Sequence, residues 1–240
     1  MPLPKINTPK YELNLPSNGK KIKYRPFLVR EEKILIMALE TENQKQITNA
    51  VVEILDACIM TRGIKIQTLA TFDIEYIFLN VRSKSVGETI NVNIICPDDE
   101  KTSVEIPIDL ETIKVKKDKS HTNIVKIDDN LSLKLKYPSM DQFIESNFES
   151  NEESSDIKTT LKMITSCIEM IYNDEESWNG SESSQKELEE FIEQLNSKQF
   201  KSIEDFFTTM PKLTHTLKVK NPQTNVESSV VLEGLAAFFS

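Results

Sequence analysis

The sequence predicts an α+β fold of two related lobes, on three observations. Stretches of strand-like alternation come in pairs separated by turn residues, stretches of helical apolar periodicity fill the gaps between those pairs, and this order of elements occurs twice along the 240 residues. Alternation broken by Pro, Asn, Asp and Gly marks antiparallel hairpins, whereas longer apolar stripes mark helices packed on a core. The length allows one large domain or two small ones. We place the division between an N-terminal lobe, 1–118, and a C-terminal lobe, 119–240, each a helical cluster with antiparallel hairpins.

The first hairpin alternates over 11–15, turns at Pro16-Ser17-Asn18-Gly19 and alternates again to Tyr24. Asn-Gly tolerates the positive φ that tight hairpin turns need, and Arg25-Pro26-Phe27 ends the pairing. A helix is expected over about 29–39, with Ile34, Leu35, Met37, Ala38 and Leu39 apolar and Glu31 and Glu32 near its positive end. A second is expected over about 45–60, with Ile47, Ala50, Val51, Ile54, Leu55, Ala57 and Cys58 on one face and Gly63 as its stop. A third starts at Thr71 and ends before Gly87, with Phe72, Ile74, Tyr76, Ile77, Phe78, Leu79 and Val81 as its apolar side. A β pair follows, over 89–95 and 102–108 around Pro97-Asp98-Asp99.

A polar, lysine-rich connection over 114–120 leads to a second β stretch, 124–127 and 131–137, around Asp128-Asp129-Asn130. After Pro138, Ser139 is a good cap for a helix over 140–148. A linker over 151–155 precedes a strongly amphipathic helix expected over 157–172. The stretch 173–184 is polar and acidic apart from Trp178 and reads as a mobile loop; helices over 185–195 and 202–208 come next. The chain closes with strands 216–219 and 227–232 around Asn221-Pro222, then an apolar turn, Leu235 to Phe239.

The repeated order carries short matched stretches. Ile22-Lys23-Tyr24 parallels Leu135-Lys136-Tyr137, Asp56-Ala57-Cys58-Ile59 parallels Thr165-Ser166-Cys167-Ile168, and Cys96-Pro97 parallels Asn221-Pro222, at offsets of 113, 109 and 125. Such offsets fit a diverged tandem duplication with loop insertions.

Composition narrows the function. With 38 acidic and 29 basic residues, a net charge of −9 favours solubility and works against broad binding to nucleic acid, whose phosphates demand a basic face. No apolar run reaches the ~20 residues needed to span a bilayer, and the start, Met1-Pro2-Leu3-Pro4-Lys5, has no apolar secretory segment. Three scattered cysteines, Cys58, Cys96 and Cys167, suit reduced thiols rather than a disulfide frame.

No catalytic, cofactor or metal site is expected. Cys96-Pro97 resembles half of a zinc knuckle, but structural zinc needs four ligands, usually two close pairs, and no second Cys or His lies near it. A degenerate zinc-hairpin interaction module is the alternative this leaves. The only histidines, His121 and His215, lie in a polar loop and at a strand start, away from any nucleophile-elbow context. Cys58 and Cys167 lie on apolar helix faces, where a thiol is usually inert. The carboxylate pairs Asp73/Glu75, Asp98/Asp99 and Asp128/Asp129 are explained by helix starts and turns, and five glycines form no phosphate-cradling loop. Arg82-Ser83-Lys84-Ser85-Val86-Gly87-Glu88 has the chemistry of a helix end: basic residues at the negative pole and Gly87 as left-handed cap. The same letters would also dock an acidic partner. Phe238 and Phe239 either pack on their own core or anchor a partner.

Two stretches carry a family resemblance: Tyr24-Arg25-Pro26-Phe27-Leu28-Val29-Arg30-Glu31-Glu32-Lys33, and Phe72-Asp73-Ile74-Glu75-Tyr76-Ile77-Phe78-Leu79 followed by Arg82 to Glu88. They resemble the base plate hub subunits and hub-assembly proteins of T-even-like contractile-tailed bacteriophages, over about residues 8–110. The resemblance implies no catalytic residues. It implies a role in building the hub by contact with other phage tail base plate hub proteins, in the host cytoplasm or in the virion tail; self-association is a separate expectation. On it, the candidate partner interface is Arg25, Phe27, Asp73, Glu75, Tyr76, Arg82, Lys84, Gly87, Phe238 and Phe239.

Overall fold

A computed structural model describes residues 6–144 and 156–234, which form an α+β protein of helices and small antiparallel sheets. Two compact units divide them: one of 6–66, 72–116 and 211–234, the other of 67–71, 117–144 and 156–210. The closing hairpin thus belongs to the first unit. The expected linker 151–155, the end of the helix expected over 140–148 and the apolar turn 235–239 lie outside the described residues.

In the first unit, β1 (Tyr11–Asn14) pairs with β2 (Lys21–Tyr24), Leu13 opposite Ile22. Gly19 sits at φ 72° in the turn and donates its N–H to Leu15 O at 2.8 Å, as the Asn-Gly pair predicts. α1 (Val29–Glu40) and α2 (Gln44–Cys58) pack together. Asn43 caps α2 by accepting from Gln46 N–H at 3.1 Å. α2 buries Ala50, Val51, Val52, Ile54, Leu55 and Cys58, while Ala57 points to solvent. α3 (Thr71–Val86) buries Ile74, Ile77, Phe78 and Val81 completely; a helix apolar on most sides needs neighbours on most sides.

The rest of this unit is two hairpins. β3 (Thr89–Ile95) pairs with β4 (Ser103–Asp109). β10 (Lys212–Lys220) pairs with β11 (Glu227–Glu233) and, on its other side, with β5 (Lys114–Lys116). The polar connection expected over 114–120 therefore begins as an edge strand. Ile90, Val92, Ile94 and Ile108 share one apolar cluster with Leu213, Leu217, Val219 and Leu232, joined by Leu79 of α3.

In the second unit, β6 (Ile124–Lys126), β7 (Ser132–Leu135), β8 (Ile168–Tyr172) and β9 (Ser177–Asn179) form a four-stranded antiparallel sheet in that order. It packs with α5 (Asp156–Ser166), α6 (Gln185–Glu193) and α7 (Ser197–Thr209) around Leu133, Leu135, Ile164, Ile168, Leu188, Ile203 and Phe206. α4 covers Met140–Ile144, and Ala70 bridges to Ser139 beside it.

The structure corrects two expectations here. The helix expected over 157–172 stops at Ser166, and Ile168–Tyr172 is the strand between β7 and β9. Its Ile, Met and Tyr side chains fit a pleated, half-buried surface, and pairing on both sides outweighs the helical periodicity. The stretch 173–184 is not a plain loop. Asn173 Oδ1 accepts from the N–H groups of Glu175 and Glu176, closing a tight turn into β9. Gly180 then passes so close to Ile168 O that a Cβ there would collide with it.

One closure recurs in both halves. Tyr24 bridges to Ile59 just past α2, and Leu135 pairs with Ile168 just past α5. Arg25 N–H donates to Cys58 O at 3.0 Å, and Lys136 N–H donates to Cys167 O at 2.8 Å. This geometry aligns Tyr24 with Leu135, two residues from the match the letters suggest.

Candidate partner-binding surface

The residues singled out from the sequence fall in the first unit, except Phe238 and Phe239, which lie outside the described residues. Arg25 follows β2 and turns its guanidinium onto Glu31, 2.9 Å away, while Nη1 donates to Pro26 O. Glu31 is buried, 3% exposed. Leu28, at the N-cap of α1, has no side-chain oxygen to offer, so Glu31 Oε2 reaches back to accept from Leu28 N–H at 2.7 Å. Burial pushes the Glu31 carboxyl up, but the hydrogen bonds from Arg25, Leu28 N–H and Arg30 outweigh it and bring it down to about 2. Phe27 is buried and its N–H donates to Ser85 Oγ, which ties this turn to the end of α3.

Asp73, in the first turn of α3, is buried and accepts from both the N–H and the Oγ of Ser17 at the β1–β2 turn. Burial raises its carboxyl above the usual range against the pull of those two bonds. Glu75 and Tyr76 are half-buried; Tyr76 packs on the hairpin cluster and a Cβ at Gly234 would touch Glu75 Oε1 at 3.3 Å. At the other end of α3, Lys84 binds Glu111 at 2.6 Å and Glu88 at 2.7 Å, and these partners, Glu111 first, hold its ammonium above the usual range. It also lies 5.9 Å over the Tyr11 ring. Arg82 is half-buried, and burial lowers its value. Gly87 sits exposed at φ 137°, a conformation that favours glycine. Arg25, Phe27 and Asp73 thus bind their own chain, and Lys84 is ion-paired within it. Gly87 alone of the described residues in the set is exposed rather than buried or half-buried.

What the sequence reading passed over is the outer face of α1. Val29, Ile36 and Met37 are 66%, 49% and 67% exposed, on the same face as Lys33 and Glu40 and beside Leu28. A helix with apolar residues on both faces was the available signal: Leu35 and Ala38 fill the core, leaving Val29, Ile36 and Met37 unexplained by it.

The Cys96 hairpin is held by hydrogen bonds. The Cys96 thiol is buried in the apolar cluster. Asp99 accepts from Lys101 N–H, Thr102 N–H and Thr102 Oγ1, and Asp98 accepts from Asn221 Nδ2 and Thr224 Oγ1 of the β10–β11 turn. Both tip carboxylates are therefore engaged, and among the described residues no three His, Cys, Asp or Glu side chains converge as a metal site. Among the described residues, that geometry gives the zinc-hairpin alternative no support. Both turns share one shape: Glu100 (φ 53°) donates its N–H to Cys96 O, and Asn225 (φ 60°) donates to Asn221 O, each at 2.9 Å.

Among the described residues no helix is long and apolar enough to cross a membrane. No curated protein and no solved structure matches the chain. A family model described as T4 bacteriophage base plate protein matches residues 8–240, so the match runs through the second half as well as the first. The chain belongs to the T4 bacteriophage base plate protein family.

Proposed function

We propose that the chain helps to assemble the central hub of the base plate by binding other tail proteins, as a hub component or as an assembly chaperone, and that it acts by contact rather than by catalysis. The observation that carries this reading is the family match across 8–240. The apolar outer face of α1 supports it, since a patch of Val29, Ile36 and Met37 rimmed by charges has the composition of a contact surface. On this reading the chain works in the host cytoplasm while tails are built, and a component would remain in the virion tail.

The test is recovery of a tagged chain from infected cells, with quantitative mass spectrometry of what accompanies it. Enrichment of base plate hub proteins over an untagged control is expected; enrichment of none of them would remove the hub reading. Counting the chain in mature particles against lysate then separates the two roles. A fixed copy number per tail marks a component, and absence from particles marks a chaperone.

A further inference from the structure

We propose that the free edge of β3 pairs with the β3 edge of a second copy of this chain, giving an antiparallel strand junction centred on Val92. Leu110 N–H donates to Glu88 O and Cys96 N–H donates to Thr102 O, each at 2.8 Å. Those bonds fix the phase of the β3–β4 hairpin. Ile90, Val92 and Ile94 bond across to β4, and Thr89, Asn91, Asn93 and Ile95 turn their N–H and C=O groups away from it. β4 is the strand paired to β3, and among the described residues nothing bonds those outward groups. The four side chains are exposed as well.

The edges of β4 and β11 carry protection that β3 lacks. On β4, Pro107 stands opposite Asn91, at a position whose N–H would face outward, and Glu105 and Asp109 are exposed. β11 begins and ends on exposed Glu227 and Glu233. β3 reads Thr-Ile-Asn-Val-Asn-Ile-Ile, without a charge, a proline or a glycine. Proteins blunt unpaired edges with charges and prolines, so an uncharged seven-residue edge is one that accepts a strand.

A second copy of β3 suits this edge because it has the same length and sets no like charges opposite each other. In an antiparallel pairing about Val92, Asn91 stands opposite Asn93 of the second copy and Thr89 opposite Ile95. Every outward amide and carbonyl of both edges then finds a partner. Two two-stranded sheets become one of four strands, with Ile90, Val92 and Ile94 continuing the apolar face across the junction. A seven-residue strand pairing buries less than the ~1,200 Å² of a stable interface, and each chain carries −9. The dimer is therefore weak, and salt tightens it by screening like charge.

Sedimentation equilibrium of the full chain, over about 1 to 300 μM and from about 0.05 to about 0.5 M salt, tests this. A monomer–dimer equilibrium that tightens with salt is expected. Asn93→Pro removes only an outward N–H, twice per dimer by symmetry, and is expected to weaken association at least about tenfold, with an unchanged circular dichroism spectrum. Mild oxidation of a mixture of Asn91→Cys and Asn93→Cys chains should give a mixed disulfide dimer far faster than either variant alone, because only the mixture places two thiols opposite each other. A chain that stays monomeric throughout overturns the proposal. So does a dimer indifferent to Asn93→Pro together with equal cross-linking in all three samples. Loss of a hub protein from the Asn93→Pro chain while the parent is monomeric would assign the edge to a partner's strand instead, and equally overturns self-pairing.

Discussion

The guanidinium of Arg25 sits 2.9 Å from the buried carboxylate of Glu31, and through it the end of the first hairpin holds the start of α1. Arg25→Ala leaves that carboxylate with Arg30 and Leu28 N–H alone. Losing one of three donors to a buried carboxylate costs about 1.5–3 kcal/mol, so the denaturant midpoint is expected to fall. The Glu31 carboxyl titrates near about 2 in the folded chain against 4.5 as its ordinary value. A depressed folded value means that its contribution is complete above about 4.5 and is lost as pH falls from there towards about 2. Stability measured between pH 6 and pH 3 should therefore fall less for Glu31→Gln than for the parent.

Ser17 and Asp73 behave in the opposite sense. Burial raises the Asp73 carboxyl, so its charged form is the one the fold tolerates less well. Asp73→Asn keeps an acceptor for Ser17 N–H and gains a donor for Ser17 Oγ, and is expected to change stability by less than about 1 kcal/mol. Ser17→Ala removes the hydroxyl donor from a buried carboxylate and should cost about 1–3 kcal/mol. Equal losses in the two variants, by urea denaturation, would contradict this account of the pair.

Gly180 admits no side chain. A Cβ there meets the backbone oxygen of Ile168, and a backbone atom cannot swing aside as a side chain can. Gly180→Ala is expected to destabilise the β8–β9 pairing by about 1–3 kcal/mol. Trp178 in β9, paired with Ile171, reports it directly through its fluorescence on unfolding.

The thiols of Cys58 and Cys167 are fully buried, and burial pushes both up to about 11. Cys96 is buried as well and shifted the same way. At pH 8 a thiol-specific reagent should label the native chain slowly at all three cysteines and label all of them at once in denaturant. Rapid labelling of Cys58 or Cys167 in the native chain would show that the cores around them open.

Elements with local signals were legible in the sequence. The Asn18-Gly19 turn and the Asp98 and Asn221 turns stand where turn chemistry puts them. β8 was not legible, because Ile168-Glu169-Met170-Ile171-Tyr172 continues the helical stripe of α5 and only the neighbouring strands make it extended. β9 was hidden by its polarity, since all three of its residues are exposed. For the candidate surface, the letters do not show that Arg25, Phe27 and Asp73 each bond within their own chain. The exposed face of α1 was missed because Ile36 and Met37 look like core until Leu35 and Ala38 are seen to fill it. The tandem duplication expected from the letters stays an expectation: the backbone closures at Cys58 and Cys167 correspond, but they align Tyr24 with Leu135, two residues from the Tyr137 that the letters matched to it.

The most direct test of hub assembly is electron microscopy of tail structures from cells infected with phage in which this chain is interrupted. The account predicts base plate parts that accumulate without a completed hub, and complete tails again when the chain is supplied in trans. Complete base plates and a normal yield of infectious particles without the chain would contradict it.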